Sequence, residues 1–459
     1  MAIVTFTIVY WLLIIGKLRL FMIKRKEMNR RRFLKNVTGI TAGAIAFPYV
    51  VSSSALGNAG NVAASNRIVM GCIGVGSQGT GNMRGFLGKK QVQVVAVCDV
   101  DKRNRDQAKK RVDDRYGSSD CRTYLDFRDV IARDDIDALS LALPDHWHSI
   151  PVIMAARAGK DMYGEKPLAR TIREGRAMVD AVNSYGRIWQ TGSWQRSVRN
   201  FHRGCELVRN GRIGKVYKVE VGLPTGGGGG DLVVQAPPDG LDWDFWLGPA
   251  LWRPFMKYSR NAPHWDWRWI MDYSGGQLTD WAGHHIDIAH WGLGLDETGP
   301  VEIEGKGVYP KDGIYDVPTA YKFTCKYANG LTMIVANDQQ QPKGMGTVWY
   351  GEKGWIHVDR GDKLDAEPKD VLDETIGPDE IRLYDSGDHQ QNFLDCVVTR
   401  KKTITPIEVA HRSISVGLLG EIAMLTERKL RWDPDKEIFL NDEQANRVLS
   451  RPMRSPWHL

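Results

Sequence analysis

The sequence predicts an α/β protein, with a doubly wound parallel sheet first and a second domain of α+β character after it. Three observations predict this. A β-branched run closes in a GxGxxG turn, the next strand ends in an acid twenty residues further on, and apolar strands then alternate with helical segments to about residue 192.

Ahead of these elements lies a leader, residues 1–65. At 459 residues, 42% hydrophobic and 25% charged, the chain is long enough for two domains as well. Its formal charge is +7, yet residues 1–35 hold nine Lys or Arg against the single Glu27, which leaves −1 for the rest. The basic excess therefore belongs to the leader and gives no support to a nucleic-acid partner. Residues 1–16 are uncharged and short for a membrane span, a marginal anchor at most. From Asn29 the chain reads NRRRFLKNVTGITAGAIAFPYVV, which resembles a twin-arginine export signal at Arg30, Arg31, Phe33, Leu34 and Lys35. Met28 just ahead of it is the expected natural start, with 1–27 an upstream misreading and 28–62 the signal. The resemblance implies a periplasmic or otherwise exported protein that leaves the cytoplasm folded, with its cofactor bound.

Residues 66–192 form the expected nucleotide-binding domain. The run RIVMGCIGVGSQGTGN places Gly74, Gly76 and Gly79 in a turn, with Ser77 and Gln78 between the last two, opening a helix. Glycines there let backbone approach a pyrophosphate, whose charge is met by the helix N-terminus. The strand QVQVVAVCDVD ends at Asp99, where a Rossmann fold keeps the acid that bonds the adenosine ribose. An acid there repels a 2′-phosphate, so NAD is expected over NADP, although Lys102 and Arg103 stand nearby. The segments DFRDVIARDD, HSIPVIMAARAGK and TIREGRAMVDAVNSYG read as helices, and IDALSLALP, DMYG and RIWQTGS as strands. Ligands of such a sheet bind beyond the strand C-terminal ends.

The residues at those ends carry a family resemblance. Pro144, Asp145 and His148 follow one strand, then AGK, and Glu165, Lys166 and Pro167 follow the next. This resembles the Gfo/Idh/MocA oxidoreductases, with Asp145 where the family usually has Asn. The resemblance implies that Lys166 lies beside the nicotinamide and bonds the reacting hydroxyl. It also matches LTDWAGHHIDIAHW, residues 278–291, preceded by Gly275 and Gly276: Asp280, His284 and Asp287 fit the family's second-domain helix, with Ala282 for its inner Gly. On a continuous α-helix these three would share one face. The resemblance implies that Asp280 and His284 face the substrate with Lys166, and an imidazole titrating near neutrality suits removal of a hydroxyl proton. A metal reading is the weaker alternative, since one helix supplies ligands from one side only and no second ligand cluster is evident to close the shell, and a purely structural buried pair is another.

Residues 193–435 are the expected substrate and oligomerisation domain, and 436–459 an unassigned tail. Ten of sixteen tryptophans lie between Trp189 and Trp291, a density that suits sugar rings, although a core role is expected for most of them individually. Trp194, Gln195 and Arg196, just after RIWQTGS, with His285 beside His284, are candidates to line the substrate crevice. TAYKFTCKYANGLTMIVAN reads as a hairpin turning at Asn329-Gly330, and HQQNFLDCVVTRKK and 407–428 as helices. The resemblance implies a large, mostly antiparallel open sheet here and a homo-oligomer. Six scattered cysteines with no CxxC pair read as core residues.

The expected activity is NAD-dependent oxidation of a secondary hydroxyl of a sugar or glycoside. The rivals are a redox-neutral glycoside hydrolase and a carbohydrate-binding protein with a vestigial redox fold.

Overall fold

The computed structural model describes residues 62–63, 66–230, 233–256 and 263–459. The anchor and twin-arginine signal expected in the leader lie outside them. From Gly60 to Leu459 the chain is one compact unit, and among the described residues no helix is long and apolar enough to cross a membrane.

The first domain runs β1 (Ile68–Ile73), α1 (Ser77–Leu87), β2 (Val92–Cys98), α2 (Lys102–Tyr116), β3 (Arg122–Tyr124), α3 (Phe127–Ile131), β4 (Ala138–Leu141), α4 (Ser149–Arg157), β5 (Asp161–Gly164), α5 (Ile172–Ser184) and β6 (Trp189–Thr191). Local chemistry starts and stops the helices. Asp101 caps α2 by accepting from Arg103 N, and Gly117 ends it at φ +64°. Thr171 caps α5 with Glu174 three positions on. The strands pair in the order β3-β2-β1-β4-β5-β6, every pair parallel. This is the doubly wound order, and its switch point lies between β1 and β4.

The second domain adds α6 (Arg199–Arg209), β7 (Val216–Leu223), α7 (Trp243–Leu247), α8 (Gly276–Trp281), a π-helical turn at Ala282–Ile286 and α9 (Asp287–Leu293). Next come β8 (Glu302–Val308), β9 (Ala320–Lys326), β10 (Thr332–Asn337), β11 (Gly346–Gly351), β12 (Gly354–Asp359) and β13 (Lys363–Glu367). The chain closes with α10 (His389–Thr399), α11 (Ile407–Thr426), β14 (Leu430–Asp433), β15 (Ile438–Phe439) and α12 (Glu443–Arg447). Nine strands form one sheet, β13-β12-β11-β7-β10-β9-β8-β14-β15. Only β7 and β10 pair in parallel.

The hairpin of β9 and β10 turns at Asn329-Gly330, with Gly330 at φ +86°. Alternate β9 residues Tyr321, Phe323 and Cys325 face inward and are buried. The buried helix α11 lies against β8, β9, the π-turn and α5, so it ties both domains to the segment that carries Asp280 and His284. A Cβ on Gly420 would sit 2.6 Å from Phe323, so only glycine allows that close approach. The C-terminal residues return to the first domain. Trp457 packs 4.8 Å from Trp147, and Arg451 Nε meets Glu174 Oε1 at 2.7 Å. All six cysteines are buried and unpaired.

Residues 276–293 are not one continuous α-helix. The Asp287 N–H reaches back five residues to the Ala282 carbonyl, and this wider turn shifts everything after it around the axis.

Candidate active site

One cleft runs along the C-terminal ends of β1, β2, β4 and β5. It encloses about 1120 Å³ of space open to solvent, and Gly74, Gly76, Ser77, Gln78, Gly79, Asp99, Pro144, Asp145, Glu165 and Lys166 all line it. The glycine turn explains why side chains do not fill it. Gly74 sits at φ +76°, with an added Cβ only 2.2 Å from Ala142 O, and a Cβ on Gly79 would fall 1.8 Å from Gly74 O. At Gly76 a Cβ would meet only Asn104 Nδ2, at 3.7 Å, so the backbone there faces open cleft. No side chain caps α1 and no acid occupies its first turn, leaving its N-terminus for an anion. A nicotinamide dinucleotide fits this cradle.

Asp99 is tied to the turn it serves. Its Oδ2 accepts from Val75 N at 3.0 Å and Asn104 Nδ2 at 3.3 Å, and its Oδ1 from Asp101 N at 2.9 Å. Burial raises its carboxyl above the usual range against these hydrogen bonds. Across the cleft His264 Nε2 lies 2.9 Å from Asp101 Oδ2. Phe245 and Trp246 of α7 complete that wall.

The loops after β4 and β5 are braced by His148 and Glu165. His148 is buried, its Nδ1 2.8 Å from Pro167 O and its Nε2 2.8 Å from Leu143 O. The sequence places it among the strand-end residues expected to bind ligand, here the cofactor, but it instead bridges the two loops from behind the cleft, because both ring nitrogens face backbone carbonyls. Glu165 Oε1 accepts from Gln78 Nε2 at 3.1 Å and Asn82 Nδ2 at 2.8 Å, locking the glycine turn's helix to β5. Asp145 accepts from Ser274 Oγ at 2.7 Å, while its other oxygen is buried without a partner. Burial, the dominant cause, pushes its carboxyl up to about 6.

The cleft ends at Lys166 and Arg268, and here the second domain enters. Lys166 Nζ donates to Asp280 Oδ1 at 2.9 Å, and Arg268 Nε lies 3.5 Å from the same oxygen. Burial would raise the Asp280 carboxyl, but these two cations hold it below its usual range. The π-turn is pressed against this ion pair. A Cβ on Gly283 would lie 3.2 Å from Lys166 Cβ, and Ser193 Oγ donates to Gly283 O at 2.7 Å. His284, one residue on, is buried with Nδ1 unpartnered. Burial first, then the charges of Lys166 and Arg360, drive its pKa well down, so it is a neutral imidazole. The Lys166 ammonium of the first domain thus acts electrostatically on the buried His284 imidazole of the second.

Other expectations need correcting. Asp287 does not share a face with Asp280 and His284, because the extra π-turn residue rotates it away. It pairs with Arg196 (Nε–Oδ2 2.7 Å, Nη2–Oδ1 2.8 Å), which also holds Asp296 at 2.8 Å. Arg196, expected in the substrate crevice, is therefore a 2%-exposed structural cation, and Gln195 beside it is likewise buried. His285 is buried against Trp281, its Nε2 3.6 Å from Asp359, with its pKa pushed down to about 3 by burial and Arg360. Trp194 is 40% exposed, with Arg360 4.9 Å from its ring. Trp246, Trp267 and Trp269 belong to an aromatic core with Tyr273, as expected of most tryptophans.

Sequence reasoning missed Arg268 and Arg360. Arg268 lies over Trp265 and Trp267, and Arg360, in the β12–β13 turn, lies 4.2 Å from the Trp281 ring. The tryptophan-rich run HWDWRW was the available signal for the first, and the turn VDRGDK gave none for the second. Among the described residues no three His, Cys, Asp or Glu side chains are grouped to hold a metal ion.

Residues 68–193 match the family model described as "Oxidoreductase family, NAD-binding Rossmann fold", and 205–459 match its "C-terminal alpha/beta domain". The chain belongs to the Gfo/Idh/MocA oxidoreductase family. Among solved structures, the WlbA dehydrogenase from Bordetella pertussis, in complex with NADH and UDP-GlcNAcA, superposes with TM-score 0.58 at 17% identity over 80% of this chain and 99% of that one. Myo-inositol 2-dehydrogenase from Lactobacillus plantarum gives 0.55 at 18%, over 80% and 99%. At these identities the likeness is one of fold. A glycosyl hydrolase family 109 protein of Shewanella sp. (strain W3-18-1) is 30% identical over 174 residues, 34% of this chain and 37% of the relative. The match thus spans little more than a third of such curated relatives.

Proposed function

We propose that this family member is an NAD-dependent oxidoreductase acting on a secondary hydroxyl of a sugar or glycoside, giving a keto-sugar. The observation that carries the reading is the Lys166–Asp280 pair at the end of the dinucleotide cleft, with the buried His284, its Nδ1 unpartnered, within electrostatic reach of Lys166. When bound, the nicotinamide supplies a hydride acceptor. Lys166 donates to the reacting oxygen and disfavours its departure from the site, while Asp280 fixes the ammonium's direction. The hydroxyl proton goes to His284. Its depressed basicity suffices, because as the C–H bond breaks the O–H becomes that of a protonated carbonyl, far more acidic than any imidazolium. The Asp99 carboxylate favours a free ribose 2′-hydroxyl, hence NAD. Exposed Trp194 and Trp265 offer faces for sugar C–H surfaces.

Export rests on the twin-arginine-like leader alone, and homo-oligomerisation on the family resemblance alone. In an exported enzyme the cofactor stays bound and is recycled in place. That need, together with the family 109 relatives, favours a second reading: a redox-neutral hydrolase. It would oxidise a ring carbon, remove the neighbouring proton, expel the aglycone, add water and return the hydride.

The test is to release and identify any nucleotide from the purified protein, then screen glycosides by mass spectrometry in deuterated water. A product lighter by two hydrogens supports the dehydrogenase. Hydrolysis without net oxidation, with deuterium at C2, supports the second reading. Neither product, with Lys166→Ala leaving sugar affinity unchanged, would leave only a binding protein.

A further inference from the structure

Arg360 differs from the arginines that are ion-paired inside the fold. Arg170, Arg176 and Arg196 each pair with carboxylates, Glu421, Glu408 and Asp287 respectively. Arg360 has no ion pair and no side-chain hydrogen bond among the described residues, and its Nε is buried without a partner. What holds it is aromatic: its Cζ is 4.2 Å from the Trp281 ring centroid and 4.9 Å from that of Trp194. A cation held over aromatic rings keeps its N–H donors uncommitted to any carboxylate, so they can serve a ligand. Burial lowers its pKa, and only Asp280 and Asp359 oppose that.

Neither carboxylate can serve it fully. Asp280 already receives Lys166 and Arg268 on one oxygen, at 2.9 and 3.5 Å. Asp359 lies 3.6 Å from His285 Nε2, whose ring is neutral at ordinary pH. Lys166, Arg268 and Arg360 all act on the Asp280 carboxylate, and of the three only Arg360 has neither an ion pair nor a side-chain hydrogen bond among the described residues. Its charge is half-buried and lies 4.9 Å from the partly exposed Trp194 ring. A planar fork of donors beside an indole suits a sugar ring that bears a carboxylate, bonded in bidentate fashion.

We propose that the substrate is an acidic saccharide, a uronic acid or uronide, whose carboxylate pairs with the edge of Arg360 while its secondary hydroxyl meets Lys166 and His284. The hydroxyl half rests on the proposed function; the carboxylate half does not.

The test uses the cofactor-loaded protein as purified. Binding of the methyl glycosides of glucuronic, galacturonic and mannuronic acid is measured by calorimetry against their methyl esters and the parent hexosides, with keto-product followed alongside. At least one uronide is expected to bind roughly 10- to 100-fold more tightly than its ester, the range for a charge-assisted hydrogen bond. Arg360→Gln should bring that ratio close to one and Arg360→Lys should keep part of it. Because the ester comparison needs no variant, misfolding of a variant cannot decide the outcome. Equal binding of acid and ester, or no uronide binding, overturns the carboxylate site even if neutral hexosides are oxidised. Preferential uronide binding without keto-product or hydrolysis upholds the carboxylate site and overturns the redox reading.

Discussion

Two cation–carboxylate pairs flank the π-turn, and they are built for different ends. After the turn, Arg196 and Asp287 meet through two short bonds, with side chains 2% and 4% exposed, and Asp296 and Ser413 take up what remains. Before it, Lys166 and Asp280 meet through one bond, with side chains 15% and 13% exposed, beside a neutral His284 and the open end of the cleft. The first pair is saturated and dry, so it can only hold structure. The second is under-coordinated and reachable, so a hydroxyl can enter it. One inserted helical residue separates the two roles.

Cutting each pair at its cation should separate them most sharply. Arg196→Met leaves Asp287 buried and unpaired, and such losses cost about 3–5 kcal/mol. Urea unfolding should show that loss. Lys166→Met leaves Asp280 with the Arg268 cation still beside it, so its stability loss should be clearly smaller than that of Arg196→Met. Its turnover should instead fall roughly 10²- to 10⁴-fold, the range for a positioned proton-handling group. A large stability loss in Lys166→Met with little loss of turnover would erase the contrast.

The same contrast explains what could be read from the amino acids. Where backbone builds the site, the sequence shows it: Gly74, Gly76 and Gly79 are needed for approach distances, Asp99 and Lys166 sit where strands must end, and periodicity marks the strands themselves. Where side chains from distant segments build it, the sequence is silent. Arg360 reaches the site from a hairpin turn nearly two hundred positions after Lys166, and nothing in VDRGDK says which rings it will stack on. The π-turn was hidden because Asp280, His284 and Asp287 keep ideal α-helical spacing on paper. Asp287 therefore lies on a different face from the one its spacing predicts, and Arg196 is its ion-pair partner instead of a residue of the substrate crevice.

A third carboxyl sharpens the comparison, since Asp145 lines the cleft with no cation bonded to it. With its pKa pushed up to about 6 by burial, the folded protein holds a proton there that the unfolded chain releases near pH 4. The stability it contributes is therefore full below pH 4 and lost as pH rises through 6, amounting to about 3 kcal/mol. Asp145→Asn keeps an acceptor for Ser274 and removes the charge. Its unfolding free energy, measured without cofactor, should match the parent at pH 4 and exceed it by about 3 kcal/mol at pH 8. The opposite trend would mean that Arg268 draws Asp145 into the ion cluster as a third paired carboxylate.

The smallest test weighs two serines, one on each side of the turn. Ser193 Oγ donates to Gly283 O at 2.7 Å, and Ser413 Oγ lies 2.7 Å from Asp287 Oδ1. Each alanine variant removes one buried hydrogen bond, worth about 1 kcal/mol of stability. Turnover should tell the two apart. Ser413→Ala touches the saturated pair, whose bidentate geometry survives on Arg196 alone, so kcat should hold. Ser193→Ala frees the carbonyl next to His284 and loosens the π-turn against Lys166, and a reacting geometry needs that register. Its kcat should fall several-fold at a matched stability loss. Equal kcat in both variants would show that the turn is held by α11 packing and Gly283 alone, with the serine bond adding stability but no alignment.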